Sequence, residues 1–489
     1  MLLTAGRASP ATLAAARAAY GAAGAAGANA ALRRMQMAFL AAPEFHATGA
    51  LVPPGPAAPP PPPLTQAGTD ADFRAVVVLY LSDGADSYSL LVPHSNCTGP
   101  ADLYAKYATA RSGVDIVREA LLPVDDAGGT QPCRTFGLHP SLARLAALYD
   151  AGEAVLVANV GQLYEPLHAR QVRDGEKRPP IGAFGHNSGS FAARRVAGTG
   201  TLRGGVLGRL ASKLDLAGLR SAAFSLAGSA GVQMLEGGDA VDVIDPTRGT
   251  VPFAPPSEAV RAGAVAQLAN QTAALHAGVY AAAVRRGIAH TKELTATLAA
   301  AALTQPWGDS ALDRPLRQAA RLLASRRALG LDRATVYVQL GGFDLHSDEG
   351  AVRFAVLMDT VDASVGTFVA EMTALGLHDR VVLTTASEFG RTYRFNGRGT
   401  DHGWGGNHLL VGGPVRGGRI WGAYPTDLLV ADDRNIGQGR FVPSVPWEGV
   451  WHAVAQWMGV GGGAAMGRVL PNLGAFPPHM LLNASAVFR

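Results

Sequence analysis

Residues 381–408, VVLTTASEFGRTYRFNGRGTDHGWGGNH, constrain this chain more than any other stretch. Val381 to Thr385 form a short apolar run bounded by β-branched residues, which predicts a strand buried on both faces, as in a parallel sheet. Ser387 and Glu388 follow where such a strand opens into a loop, and Asp401, His402 and His408 come next. Five glycines between Gly397 and Gly406 leave this loop little apolar reason to exist. Open α/β sheets bind ligands outside the carboxyl ends of their strands, so metal-ligand side chains stand here in the right place as well as the right number. The stretch is expected to be the active-site half of a metal-dependent hydrolase.

Two further runs repeat the pattern. Ala75 to Leu81, AVVVLYL, has the length and continuity of a central buried strand and ends in SDGADSY, with Asp83 and Asp86 at its carboxyl end. A lone loop carboxylate usually meets water or caps a helix; two at such a strand end favour a site. ATVYVQL at 334–340 opens into GGFDLHS, where Asp344 and His346, two apart in extended chain, project to one side and suit one cation. Between these runs, HPSLARLAALYDAG predicts an amphipathic helix before the strand AVLVANV, and His139 at its start reads as a cap or a packed ring. FGHNSGS at 184–190 offers Ser188 as a nucleophile, with His186 or Asn187 to contact an anionic substrate; each taken singly also fits a plain surface loop. Residues 201–245 read as a mixed stretch ending in a strand-rich insertion, and about 257 to 330 as helices covering the sheet.

Length 489 accommodates two or three average domains, or one large α/β domain with insertions. A net charge of +4 with scattered Lys and Arg, and no basic run interleaved with aromatics, argues against nucleic acid as a partner. No apolar run reaches the roughly 18 residues of a spanning helix. The first 43 residues lack Asp and Glu and carry Arg7, Arg17, Arg33 and Arg34 among alanines, the composition of a transit-like leader and equally of an Ala-rich surface helix. We expect a leader over 1–52, a polyproline linker over 53–72 and a single domain over 73–489. Export or organelle targeting is favoured over the cytosol. Cys97 and Cys133 are either free core thiols or one disulfide.

VVVLYLSDGADSYSLLVP, FGLHPSLARLAALYDAG, GGFDLHS, SEFGRT, GTDHGWGGNHLLVGGPVRGGRIWG and VLPNLGAF together resemble the family called domain of unknown function 1501. The resemblance runs over roughly 73–476 and implies the alkaline phosphatase and sulfatase superfamily. That superfamily implies an alkaline phosphatase-like three-layer α/β sandwich, a mostly parallel central sheet with helices on both faces. It also implies a site for two divalent metal ions, zinc or manganese, with calcium and magnesium also compatible, and a Ser or Thr nucleophile. Carried over, Asp83 or Asp86 serves the metal nearest the nucleophile, with Glu388 a substitute ligand. Asp344, His346 and His402 serve the other metal, with Asp401 and His408 as added ligands or supports. Arg391 either clamps the substrate's anionic oxygens or pairs with a carboxylate. Where many members carry a Ser-His pair this chain has Leu167-His168 and Gly185-His186, so Ser188 is the fallback nucleophile. The expected function is hydrolysis of small phosphate or sulfate esters by in-line displacement at a two-metal site. The alternative is a non-catalytic exported binding or scaffold protein that keeps the metals as staples or has lost them.

Overall fold

The computed structural model describes residues 10–22, 27–40, 72–98, 102–198, 204–237, 241–250, 275–346, 350–426, 428–429 and 434–489. The expected linker lies outside them except for Asp72, as does the first part of the helical stretch expected from residue 257. Two compact units are present, one of residues 1–63 with 250–297 and one of 64–249 with 298–489. In the first, the helices Pro10–Ala22 and Ala28–Leu40 pack against each other. None of the described helices is long and apolar enough to cross a membrane.

The second unit is a mixed α/β fold on a nine-stranded sheet. The continuous apolar runs become its centre: β1 (Arg74–Leu81) lies between β8 (Arg333–Leu340) and β9 (Val381–Ala386), parallel to both. Beyond β8 come β6 (Ser221–Ser225) and β7 (Val241–Val243), also parallel. Beyond β9 come β10 (Gly406–Val411), which runs against its neighbours, and then β5 (Ala154–Gly161). The short β11 (Ile420–Gly422) and β12 (Val445–Pro446) both pair with β5. The stretch 201–245 is therefore no insertion. Its two strands complete the parallel edge of the main sheet, with the helices Val206–Leu216 and Ser229–Leu235; β6 is mostly small residues and lacks the apolar run that marks a central strand.

Alternation along β1 shows how the layers stack. Val76, Val78 and Tyr80 enter one core cluster with Leu207 and Leu210 and with Val450, Trp451 and Val454 of the helix Trp447–Met458. Val77 and Leu79 point the other way and are also fully buried, so both faces of the sheet are covered. The helix Asp313–Ala324 packs on β8 and against the helix Gly350–Ala374. His139 takes the structural role allowed to it: its Nδ1 accepts from the Ser141 amide at 3.2 Å and its ring meets Phe354.

A second sheet of three antiparallel strands, β2 (Leu91–Cys97), β3 (Leu122–Asp125) and β4 (Cys133–Leu138), places Cys97 directly opposite Cys133 in register. The two form a disulfide across a sequence separation of 36. Closing a loop of that length restricts the unfolded chain enough to stabilise the fold by about 4 kcal/mol in the chain-entropy account. Thiol titration of the protein denatured without reductant should find no free thiol, and reduction should shift the denaturation midpoint down by a corresponding amount. Two titratable thiols would contradict the pairing.

Candidate metal centre

Strand register puts the site together. Leu81 pairs with Leu340 and Tyr80 with Ala386, so the loops after β1, β8 and β9 leave the sheet at one rim. These loops carry Asp83, then Asp344 and His346, then Glu388 and Arg391. Because β10 starts at the same rim, the preceding loop delivers Asp401 and His402 there. His186 is the first residue of the helix His186–Arg195 and completes the cluster.

Two groups of potential ligand atoms result, each with all its atoms within 4.8 Å of one another: His186, Asp344 and His402, and Asp83, His186 and Glu388. The His402 Nδ1 lies 2.8 Å from the Phe184 carbonyl oxygen, to which it can only donate, so its Nε2 presents a lone pair to the cluster. Burial first, then the charges of Arg391 and His186, lower the His402 pKa against the Phe184 hydrogen bond and the Asp344 charge, which favours the neutral ring. The His186 Nδ1 lies 3.2 Å from Glu388 Oε1, while its Nε2 is buried with no hydrogen-bond partner and lies 3.5 Å from Asp344 Oδ2. An orphaned imidazole nitrogen beside a carboxylate and a second imidazole is a donor set that accepts zinc or manganese. Phe389 packs against both rings, with centroids 5.1 Å from His186 and 4.6 Å from His402. A Cβ on Gly84 would lie 2.2 Å from the Phe389 ring, so only glycine lets this turn pass beneath it. Asp83 itself holds φ at 83°, a left-handed backbone that non-glycine residues seldom adopt.

Arg391 braces the centre. It is fully buried, and all five of its N–H donors are used. Nε donates to the Gly84 carbonyl; one terminal nitrogen meets the Thr400 carbonyl at 2.9 Å and His346 Nε2 at 3.1 Å; the other meets the Asp83 carbonyl at 2.7 Å and Asp344 Oδ1. Of the two roles open to Arg391, the structure takes the carboxylate partner, and no donor is left for a substrate oxygen. Burial raises the Asp344 pKa, but the Arg391 hydrogen bond and charge, with His346 and His186, outweigh it and hold the carboxyl at about 2. Asp401 accepts from Asn396 at 2.8 Å and lies 3.6 Å from His346 Nδ1, so it stands behind His346.

Three expected site residues lie elsewhere. Asp86 turns away from the cluster and forms a buried two-pronged pair with Arg111, at 2.5 and 2.7 Å. His408 is on β10, buried between the Thr385 hydroxyl and the Trp447 ring, and burial lowers its pKa to about 3. Ser188 is two residues beyond His186 on the same helix, so it faces away from it and lines a separate cavity with Gln162, Tyr164, Phe191 and Trp447. Two hydroxyls among the described residues touch the cluster: Ser82 Oγ donates to Asp83 Oδ1 at 3.1 Å, and Ser387 Oγ lies 3.4 Å from Glu388 Oε2. His186, expected only to contact a substrate, is instead shared by both ligand groups.

These placements separate support from site. Asp86→Ala strands the Arg111 guanidinium in the core and should destabilise the fold by about 3–5 kcal/mol, leaving metal content per folded chain unchanged. His402→Gln, which leaves the Arg391–Asp344 pair intact, should do the reverse. Denaturation curves and elemental analysis on the same preparations distinguish them.

No curated protein matches the chain in sequence. Among solved structures it is similar to the lipoteichoic acid synthase LtaP of Listeria monocytogenes, with 10% identity and TM-score 0.32, covering 81% of this chain and 74% of that one. It is similar also to the PsFucS1 sulfatase of Pseudoalteromonas sp., with 11% identity, TM-score 0.31 and coverage of 79% and 68%. A third is the phosphonate monoester hydrolase SpPMH of Silicibacter pomeroyi, with 11% identity, TM-score 0.33 and coverage of 79% and 73%. Similarities this distant transfer no residue roles. The family model described as "Protein of unknown function (DUF1501)" matches residues 74–436, and the chain belongs to that family.

Proposed function

We propose that this protein is a metal-dependent hydrolase of small phosphate or sulfate esters. The observation that carries the reading is the convergence of Asp344, His186 and His402 at the carboxyl rim of the parallel sheet, with one imidazole nitrogen buried and unpartnered. Asp344 and the two histidines would hold a divalent cation, zinc or manganese. When bound, such a cation polarises an ester oxygen and acidifies a coordinated water. The chain's own residues do the positioning. Glu388 and the Phe184 carbonyl orient the two rings, Phe389 excludes water from one side, and Arg391 fixes the Asp344 carboxylate. Ser82, bonded to Asp83, and Ser387, beside Glu388, are the hydroxyls next to these side chains that support an in-line displacement.

A non-catalytic, metal-stapled binding protein is the second reading. It is favoured by Ser188 facing another cavity and by Arg391 having no donor to spare. Under either reading we place the protein in an oxidising or organellar compartment, which the Cys97–Cys133 disulfide and the acid-free, arginine-bearing first 43 residues support.

An assay of the full chain, loaded with zinc or manganese, against aryl phosphate, phosphodiester and sulfate esters tests the choice. Hydrolysis of at least one class is expected, falling about 100-fold or more on chelation and in His402→Ala. Metal-loaded protein that turns over none of them would leave the binding reading.

A further inference from the structure

The same rim offers ligand atoms for two cations, but its hydrogen bonds leave room for one. We propose that the centre is mononuclear, with a single divalent cation held by His186 Nε2, His402 Nε2 and Asp344, and the Arg391 guanidinium in place of a second cation. This rests on the metal-binding part of the functional reading and specifies its stoichiometry.

Both candidate groups need His186, and a neutral imidazole has one lone pair. Glu388 decides which group receives it. Its carboxylate faces Nδ1 at 3.2 Å and can only accept, so Nδ1 carries the proton and the lone pair is on Nε2, the nitrogen that is buried without a partner. The Asp83 and Glu388 group thereby loses its nitrogen ligand. Its carboxylates also brace the loops: Asp83 Oδ1 accepts from Ser82 and Oδ2 from the Gly342 amide at 2.9 Å, while Glu388 Oε1 accepts from the Asp83 amide at 2.9 Å. His346 Nε2 also reaches the cluster, 3.3 Å from His402 Nε2 and 2.8 Å from Asp344 Oδ1, but Arg391 can only donate to it, at 3.1 Å, and so takes up its lone pair.

What remains has the dimensions of one tetrahedral site. Ligands about 2.1 Å from a tetrahedral zinc lie roughly 3.4 Å from each other. The Asp344 carboxylate reaches both rings, one oxygen to each: Oδ2 lies 3.5 Å from His186 Nε2 and Oδ1 lies 3.4 Å from His402 Nε2. Two imidazoles and one carboxylate leave a fourth position open, as catalytic zinc sites do. On the far side of Asp344, a second dication would meet a guanidinium that never deprotonates and already holds both Asp344 and His346.

The test is metal stoichiometry of the full-length protein, by elemental analysis after equilibration with zinc or manganese and by calorimetric titration of the metal-free form. We expect about one equivalent per chain, retained in His346→Ala with affinity within about tenfold of the parent and lost in His186→Ala and His402→Gln. Circular dichroism confirms that each variant is folded, and the parent stoichiometry needs no variant. Two equivalents in the parent, or loss of metal in folded His346→Ala as complete as in His402→Gln, overturns the mononuclear centre while leaving the hydrolase reading intact. A parent that binds neither metal overturns both.

Discussion

The site exists because three parallel strands are in register. β8, β1 and β9 lie side by side with their carboxyl ends level, so chain segments more than three hundred residues apart emerge at one rim. Continuous burial of these strands on both faces fixes that register, since each buried valine or leucine contributes roughly 1.5–3 kcal/mol and a one-residue slip would turn every side chain to the other face. The antiparallel β10 adds the His402 loop at the same rim. The helix His186–Arg195 then brings in His186 at its first turn.

Within that frame Arg391 does for electrostatics what register does for geometry. A buried guanidinium is tolerated only when its donors are satisfied and its charge is balanced. Three backbone carbonyls, from Asp83, Gly84 and Thr400, tie it to the β1 loop and to the loop before His402, and Asp344 balances it. The same residue therefore locks three loops together and fixes the one carboxylate that both histidines face. Phe389 and Gly84 close the underside, and Glu388 selects which nitrogen of His186 looks into the centre.

The sheet was legible because its central strands are unbroken apolar runs, and the arrival of Asp344, His346, Glu388 and His402 at one rim was legible because each stands just after such a run or in a glycine-rich loop with no packing purpose. The failures have local causes. Asp83 and Asp86 flank Gly84 in one turn, and composition cannot say which carboxylate faces the rim; the answer lies with Arg111, a partner in a different helix-flanking loop. His408 lies in a strand, where Thr385 on β9 and Trp447 at the start of the helix Trp447–Met458 make it a core residue. Ser188 and His186 are two residues apart, close in the sequence and on different sides once the segment is helical. His186 follows no strand, so nothing in its surroundings marked it as a ligand.

The central claim is that His186, His402 and Asp344 share one cation at the rim of the sheet. Anomalous X-ray diffraction at the zinc edge, from crystals of the full chain grown with zinc, tests it most directly. The account expects one strong peak about 2.1 Å from His186 Nε2, His402 Nε2 and an Asp344 oxygen. A rim without a peak, or a peak held instead by Asp86 or His408, would contradict it.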